Sequence, residues 1–373
     1  MRQRFEIGIL FSRSGGYVLV SDACRAGAMA AIADINADPD FGIELVPVER
    51  DPGGSTDRYA PLCEDIFRSS SARHVVGCVT SWSRKEVIPV LEKHGATLWY
   101  GCPYEGYEAS DHVFYTHACP NQHLVPLLGF AVPRFGARGY LVGSNYIWGW
   151  EMNRVARELL RDAGGEALGE RCLALGDEDV SRLIQEIEAL RPSFVLNNLI
   201  GPSSYAFLKA MAELGRIDPA FRPEVCPVLS CNLTECETSR LDGAADGQIS
   251  AGPYFARPAE RLGWPASGTS RSATSFEAAT YMSVRMLAEG IRATGRADPD
   301  ASAFVGRPVA SPFGMVEIDP VTRHTALPVI IGRMQGSDVE ALDVTSRILP
   351  DPYLTRYDRA QTFPRPALKV VMS

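Results

Sequence analysis

The stretch Val75-Val76-Gly77-Cys78-Val79-Thr80-Ser81-Trp82-Ser83-Arg84-Lys85-Glu86 decides how the chain is organised. Its apolar run over 75–79 reads as a buried strand, and the hydroxyl-rich turn over 80–83 leads into a helix. The first N–H groups of a helix have no partner inside it, so hydroxyls and free backbone donors gather at this point. Ser83, followed three residues later by Glu86, fits a capping box. With Ser83 as the cap, Thr80 and Ser81 lie one turn earlier and border whatever space the loop lines. Hydroxyls before a helix usually serve only as caps. The alternative is a contact to a small polar ligand, and the surrounding architecture has to decide between the two.

Outward from this stretch the same unit recurs. An apolar strand over 5–11 ends in the turn Ser12-Arg13-Ser14-Gly15-Gly16, and an Ala-rich helix follows over 21–37. A second strand over 42–49 and a helix over 57–68 precede the opening stretch. After it come a helix over 84–94 and a strand over 97–102 that Pro103 stops. Strands alternating with helices at this rhythm require parallel pairing and a doubly wound α/β sheet. Ligands of such sheets sit outside the carboxyl ends of the strands, which places 12–16, 80–83 and 100–104 on one rim.

The pattern then restarts. Strands are expected over 139–143, 167–174, 194–200 and 225–231, with helices over 151–163, 180–190 and 205–214 between them. The second rim collects Tyr146, Trp148, Ile200, the turn over 201–204, and 230–232 with Cys231. The expected fold is therefore two doubly wound, Rossmann-like α/β lobes joined by a hinge. One lobe is expected to comprise 1–118 plus 248–325, the other 119–247 plus 326–373.

Composition narrows the function classes. The formal net charge of -8, with Lys and Arg scattered, gives no basic stripe for a phosphate backbone, which argues against direct nucleic-acid binding. The apolar runs are strand-sized, so membrane insertion is not expected. Nine cysteines, an odd number, are spread through strands and helices and read as reduced, mostly buried thiols of a cytoplasmic protein. Cys226, Cys231 and Cys236 lack zinc-ligand spacing, the six histidines form no paired motif, and Gly15-Gly16 lacks the spacing of a phosphate-binding loop. Neither a metal nor a cofactor is expected. The start, Met1-Arg2-Gln3-Arg4-Phe5-Glu6, enters a strand almost at once and shows no export signal. A leader removed ahead of Met1 would leave the same sequence, so a periplasmic location stays open.

Several motifs together narrow the reading further. They are Asp51-Pro52-Gly53-Gly54 with Asp57-Arg58-Tyr59, Gly77-Cys78 with Ser81 and Arg84-Lys85, Pro103-Tyr104-Glu105-Gly106, Pro120-Asn121-Gln122, and Gly143-Ser144 with Tyr146-Ile147. Over essentially the whole chain, these resemble the type I periplasmic-binding-protein family, in its branch of AmiC-type amide sensors and of urea and short-chain amide receptors. The resemblance implies a clamp closing on a small neutral amide or urea-like ligand. It implies pocket contacts from Ser81, Tyr100, Pro103 and Tyr146, with Trp148 as a further aromatic. Thr80, Ile200 and Cys231 join them as rim residues. Cys102 stands where the sensors and the amino-acid receptors of the family have Thr, and a thiol is a weaker hydrogen-bonding group.

Two roles follow from the resemblance. In the first, a cytoplasmic sensor regulates an amidase operon through an antiterminator-type partner protein. The alternative is a substrate-binding component of an ABC transporter for urea, amides or amino acids. Homo-oligomerisation stays open. An ammonium needs carboxylates, and the rim turns offer only Glu105 and Glu151, which weighs against an amino acid. An enzyme would need Cys102 as nucleophile and His117 or His123 as base, but no third group is in place to orient them. The expectation is a binding protein without a catalytic residue.

Overall fold

A computed structural model describes residues 2–268 and 271–364. The first α/β run folds as β1 (Gln3–Leu10), α1 (Val18–Ala37), β2 (Ile43–Arg50), α2 (Tyr59–Ser69), β3 (His74–Gly77), α3 (Ser81–His94), β4 (Thr97–Tyr100) and β5 (Val113–Tyr115). These five strands form one parallel sheet in the order β2-β1-β3-β4-β5. A helix between most successive strands makes the parallel crossover possible. The strands are short and apolar because both sheet faces are covered, and all four residues of β3 are buried.

The second run gives α4 (Leu124–Phe135), β6 (Arg138–Ser144), α5 (Ile147–Asp162), β7 (Glu166–Leu173), α6 (Ser181–Leu190), β8 (Phe194–Asn198), α7 (Pro202–Ile217), β9 (Val228–Ser230) and β10 (Ile249–Gly252). The chain continues through α8 (Ala256–Arg261), α9 (Ser275–Thr294), β11 (Val309–Ser311), β12 (Gly314–Ile318), β13 (Thr325–Gln335), β14 (Asp338–Ile348) and α10 (Arg359–Thr362). The second sheet runs β11-β12-β13-β10-β9-β8-β6-β7. It is parallel from β7 to β10 and antiparallel where β13 joins. The result is two parallel-rich α/β lobes. No helix among the described residues is long and apolar enough to cross a membrane.

The chain passes between the lobes more than once. Helix α9 returns to the first lobe and packs on α1 so closely that a Cβ on Gly27 would meet the Glu277 carbonyl at 2.1 Å. Strand β12 buries Val316 and Ile318 in the first lobe's core, whereas β13 places Val329 and Ile331 in the second's. Gln122 knits the crossing, donating through Nε2 to the carbonyls of Thr325 and Ile348 at 2.9 Å each. The Thr325 hydroxyl in turn donates to Tyr115 O at 2.9 Å.

Three expectations need correction. The lobe boundary set at 248 falls too early, because Ile249–Gly252 pairs with β9 and β13 in the second sheet. Strand β14 was not expected; its side chains are mostly exposed and polar, so it shows no apolar alternation and is held by its hairpin with β13. Finally, Thr80 rather than Ser83 is the N-cap of α3. Thr80 Oγ1 accepts from Ser83 N at 3.2 Å, and Ser83 Oγ returns the contact by accepting from Thr80 N at 3.1 Å. Ser83 thus takes the role expected of Glu86, and Ser81 becomes the first residue of the helix.

Candidate ligand-binding cleft

Strand β3 stops at Gly77 because Cys78 takes a left-handed backbone, φ 67°. That conformation costs a residue with a Cβ roughly 1–2 kcal/mol. It turns the chain so that Val79, Thr80 and Ser81 face the space between the lobes. There they meet Tyr17 and Val20 from the start of α1, Cys102 and Pro103 from the turn after β4, and Phe276 from α9. The second lobe contributes Tyr146 and Trp148 after β6, Ile200 and Gly201 after β8, and Asn232 and Glu237 after β9. The space inside this cleft, open solvent at its mouth included, amounts to about 480 Å³. Nearly every lining residue follows the carboxyl end of a parallel strand, where the helices leave their N-termini pointing into the cleft.

Three of those helix starts lack a complete set of partners. Helix α5 has Tyr146 and α7 has Gly201 at the cap position, neither making a side-chain cap hydrogen bond, and α3 has only the Thr80–Ser83 exchange. The Trp148 indole nitrogen is buried without a protein partner. Among the described residues, no lysine or arginine lines the cavity. The donors it offers are backbone N–H groups at helix starts and the Trp148 indole, which suit a single negative group.

Behind Ser81 lies a buried ionic network. The Ser81 hydroxyl donates to Glu105 Oε2 at 2.5 Å, and Arg84 Nη2 donates to Glu105 Oε1 at 2.9 Å. Arg84 also pairs with Glu108 through Nε at 2.7 Å, and Lys85 reaches the other Glu108 oxygen at 2.7 Å. The Arg84 guanidinium is fully buried, 4.8 Å from the ring centres of both Tyr100 and Tyr104. Burial disfavours its charge, but Glu105 and Glu108 outweigh that and hold its pKa well above the ordinary value. Burial likewise works against ionised Glu108, and the charge of Arg84 overcomes it, bringing the carboxyl down to about 2.

The opposite rim has carboxyls without such a partner. Glu237 accepts a hydrogen bond from the Tyr205 hydroxyl at 3.0 Å, and burial pushes its pKa up to about 7. Glu235, on the same 3-10 turn, accepts from Ala256 N at 2.8 Å through Oε1, while its Oε2 has no partner. Burial raises it to about 8.

The lobes are closed on each other. Trp82 of α3 meets Tyr146 with ring centres 5.4 Å apart, and Arg154 of α5 lies 4.6 Å from the Tyr107 ring centre. Gly201, at φ 59° and ψ -138°, holds a backbone that suits glycine alone, and a Cβ there would stand 2.1 Å from the Gly16 carbonyl of the first lobe.

Over residues 5–359 the sequence matches the periplasmic binding protein domain. The chain belongs to that family. Among solved structures, a solute-binding protein of an ABC transporter from Rhodopseudomonas palustris HaA2, in complex with p-hydroxybenzoic acid, superposes with a TM-score of 0.82. That match has 20% identity and covers 95% of this chain and 100% of the other. A solute-binding protein from R. palustris in complex with benzoate gives 0.79 at 17% identity, covering 93% and 98%. A branched-chain amino acid transporter substrate binding protein from Streptococcus pneumoniae, in complex with isoleucine, gives 0.76 at 16% identity, covering 93% and 100%. At these identities the likeness is one of fold.

In this periplasmic binding protein domain, the cavity brings together Thr80, Ser81, Cys102, Pro103, Tyr146, Trp148 and Ile200. Tyr100 and Cys231, also expected there, do not line it. The Tyr100 hydroxyl is used internally, donating to Val79 O at 2.6 Å, while its ring packs against Arg84. Cys231 turns into the second lobe's core, and the next residue, Asn232, faces the cavity instead. Tyr17, Val20, Phe276 and Glu237 escaped sequence reasoning. Tyr17 sits one residue beyond the expected Gly15-Gly16 turn, whereas Phe276 arrives from a distant helix with no local mark. The Cys102 thiol meets Cys24 Sγ and Cys78 O, while His117 Nδ1 accepts from Ala118 N and His123 Nε2 faces Tyr104 O.

Proposed function

We propose that this protein is the extracytoplasmic solute-binding component of an ABC importer, and that its solute is a small organic acid with a flat or branched apolar body. One observation carries the reading: three helix N-termini open onto a single aromatic-walled cavity that holds no cationic side chain. Backbone N–H groups and the unpartnered Trp148 donor bind a carboxylate there, and Tyr17, Tyr146, Trp148 and Phe276 cover its apolar body. Glu237 stands on the opposite rim. Near its raised pKa it either donates from a neutral carboxyl to a hydroxyl or accepts from an ammonium as a carboxylate. The shortage of rim carboxylates, only Glu105 and Glu151, weighed against an amino acid, and Glu237 reduces that weight. p-Hydroxybenzoic acid, benzoate and isoleucine, with which three structural relatives were solved, each carry a carboxyl group beside an apolar body.

Seven of the nine thiols are buried and shielded from solvent while the lobes are closed, so the cysteine content does not demand the cytoplasm. The amide-sensor role, acting through an antiterminator-type partner, rests on sequence resemblance alone and is the weaker reading. A thermal-shift panel of benzoate, 4-hydroxybenzoate, isoleucine, acetamide and urea separates the two, because a ligand that binds only the native state raises its melting point. An organic acid is expected to shift it and acetamide and urea are not; the reverse result restores the amide reading. Trp148→Phe, which removes the unpartnered donor, is expected to weaken the organic-acid shift.

A further inference from the structure

Under the cleft, Cys24 and Cys102 bring their sulfurs to 3.6 Å across 78 residues of sequence. Cys24 sits in the body of α1, where its carbonyl accepts the Thr280 hydroxyl of α9 at 2.7 Å. Cys102 lies on the turn after β4. Its thiol faces the Cys78 carbonyl at 3.8 Å, and the residue lines the cavity. Both are free, buried thiols. At 3.6 Å the sulfurs are in van der Waals contact, and a disulfide needs about 2.05 Å, so a closure of about 1.5 Å separates contact from bond.

We propose that Cys24 and Cys102 form an oxidisable dithiol, which becomes a disulfide under the cleft when the protein meets a disulfide oxidant. Cys102 lines the space between the lobes and Cys24 lies behind it, so Cys102 reacts first once the lobes part. Its thiolate attacks one sulfur of oxidised glutathione and expels a glutathione thiolate. The Cys24 thiolate then attacks the Cys102 sulfur of the mixed disulfide and expels the second glutathione. In sum, two protein thiols lose two hydrogens and one glutathione disulfide becomes two thiols.

Burial pushes the Cys24 thiol up, and the neighbouring Cys102 adds to it, so the second step is slow near neutrality and quickens as pH rises. The bond ties α1 to the β4 turn within the first lobe and leaves the crossing segments free. It also removes an S–H donor from the cavity wall. None of this depends on which solute the cleft takes.

The test equilibrates the native full chain, without solute, in oxidised glutathione, then blocks free thiols before denaturation. Of the nine cysteines, two are expected to be consumed, leaving seven free. The mass falls by two hydrogens, and proteolysis yields one cross-linked peptide pair containing Cys24 and Cys102. The melting midpoint is expected to rise by roughly 5 °C, since the bond closes a long loop. Cys24→Ala and Cys102→Ala should each keep all eight remaining thiols free. Nine free thiols in the oxidised wild type, a stable glutathione adduct, or a bond between any other pair overturns the proposal. The wild-type count and map decide it even if a variant fails to fold.

Discussion

The two rims of the cleft treat buried carboxyls in opposite ways. In the first lobe, Glu105 and Glu108 surround Arg84, and Lys85 completes the set, so acid and base are matched before any solute arrives. In the second lobe, Glu235 and Glu237 have hydroxyl and amide partners but no cation, and burial drives both toward the neutral form near physiological pH. Residues of one chemical type thus form a fixed scaffold on one side and an adjustable contact on the other. The difference lies in what each side chain is packed against. Ser81 shares in the scaffold, because its proton is committed to Glu105 and its oxygen remains free to accept.

The sharpest way to break this comparison is to remove the cation. Arg84→Met strands the buried Glu105 carboxyl, leaves Glu108 with Lys85 alone, and is expected to cost about 3–5 kcal/mol in urea unfolding. A loss under about 1 kcal/mol would mean that the first rim is no more committed than the second. The pH response of the two rims should also have opposite signs. Glu108 is lowered to about 2, so its contribution is complete above its usual value of 4.5 and is lost as pH falls toward 2. Glu237 and Glu235 are raised to about 7 and about 8, so the native state is favoured most below 4.5 and loses stability as pH rises through 7 and 8.

Glu235→Gln combined with Glu237→Gln should flatten that decline between pH 4.5 and 8 and raise stability at pH 8 by on the order of 2 kcal/mol. An unchanged slope would place the titration elsewhere. The smallest expected effect sharpens the contact between the rims rather than either rim itself. Gly201→Ala sets a methyl group against the Gly16 carbonyl and is expected to weaken solute binding about tenfold by calorimetry, or about 1.4 kcal/mol, by penalising closure. Unchanged affinity would show that the two glycines do not meet in the bound state.

Much of the scaffold was legible because its causes are local. The alternation of apolar runs with helical periodicity marked both α/β sheets, and the rule for strand carboxyl ends placed Ser81, Cys102, Tyr146 and Ile200 on facing rims. Errors arose where one residue of phase decides which way a side chain points. Tyr100 is the last residue of β4 and turns to Val79 O, and Cys231 follows β9 and turns into the core. The exchange of Ser83 for Thr80 as cap is the same kind of error, since both carry a hydroxyl and only the starting point of the helix tells them apart.

The sequence by itself determined the two α/β lobes, the strand ends that face each other and the hydroxyl turn that opens α3, because backbone hydrogen bonding and apolar period act between near neighbours. Only the tertiary structure decided that Phe276 returns to the cavity on α9, that Glu105 lies under Ser81, and that Glu237 lines the cavity with a tyrosine hydroxyl rather than a cation as its partner. Those outcomes depend on which distant side chains share a buried volume. The charge and hydrogen-bonding state of a buried group is set by that company and not by its place in the chain.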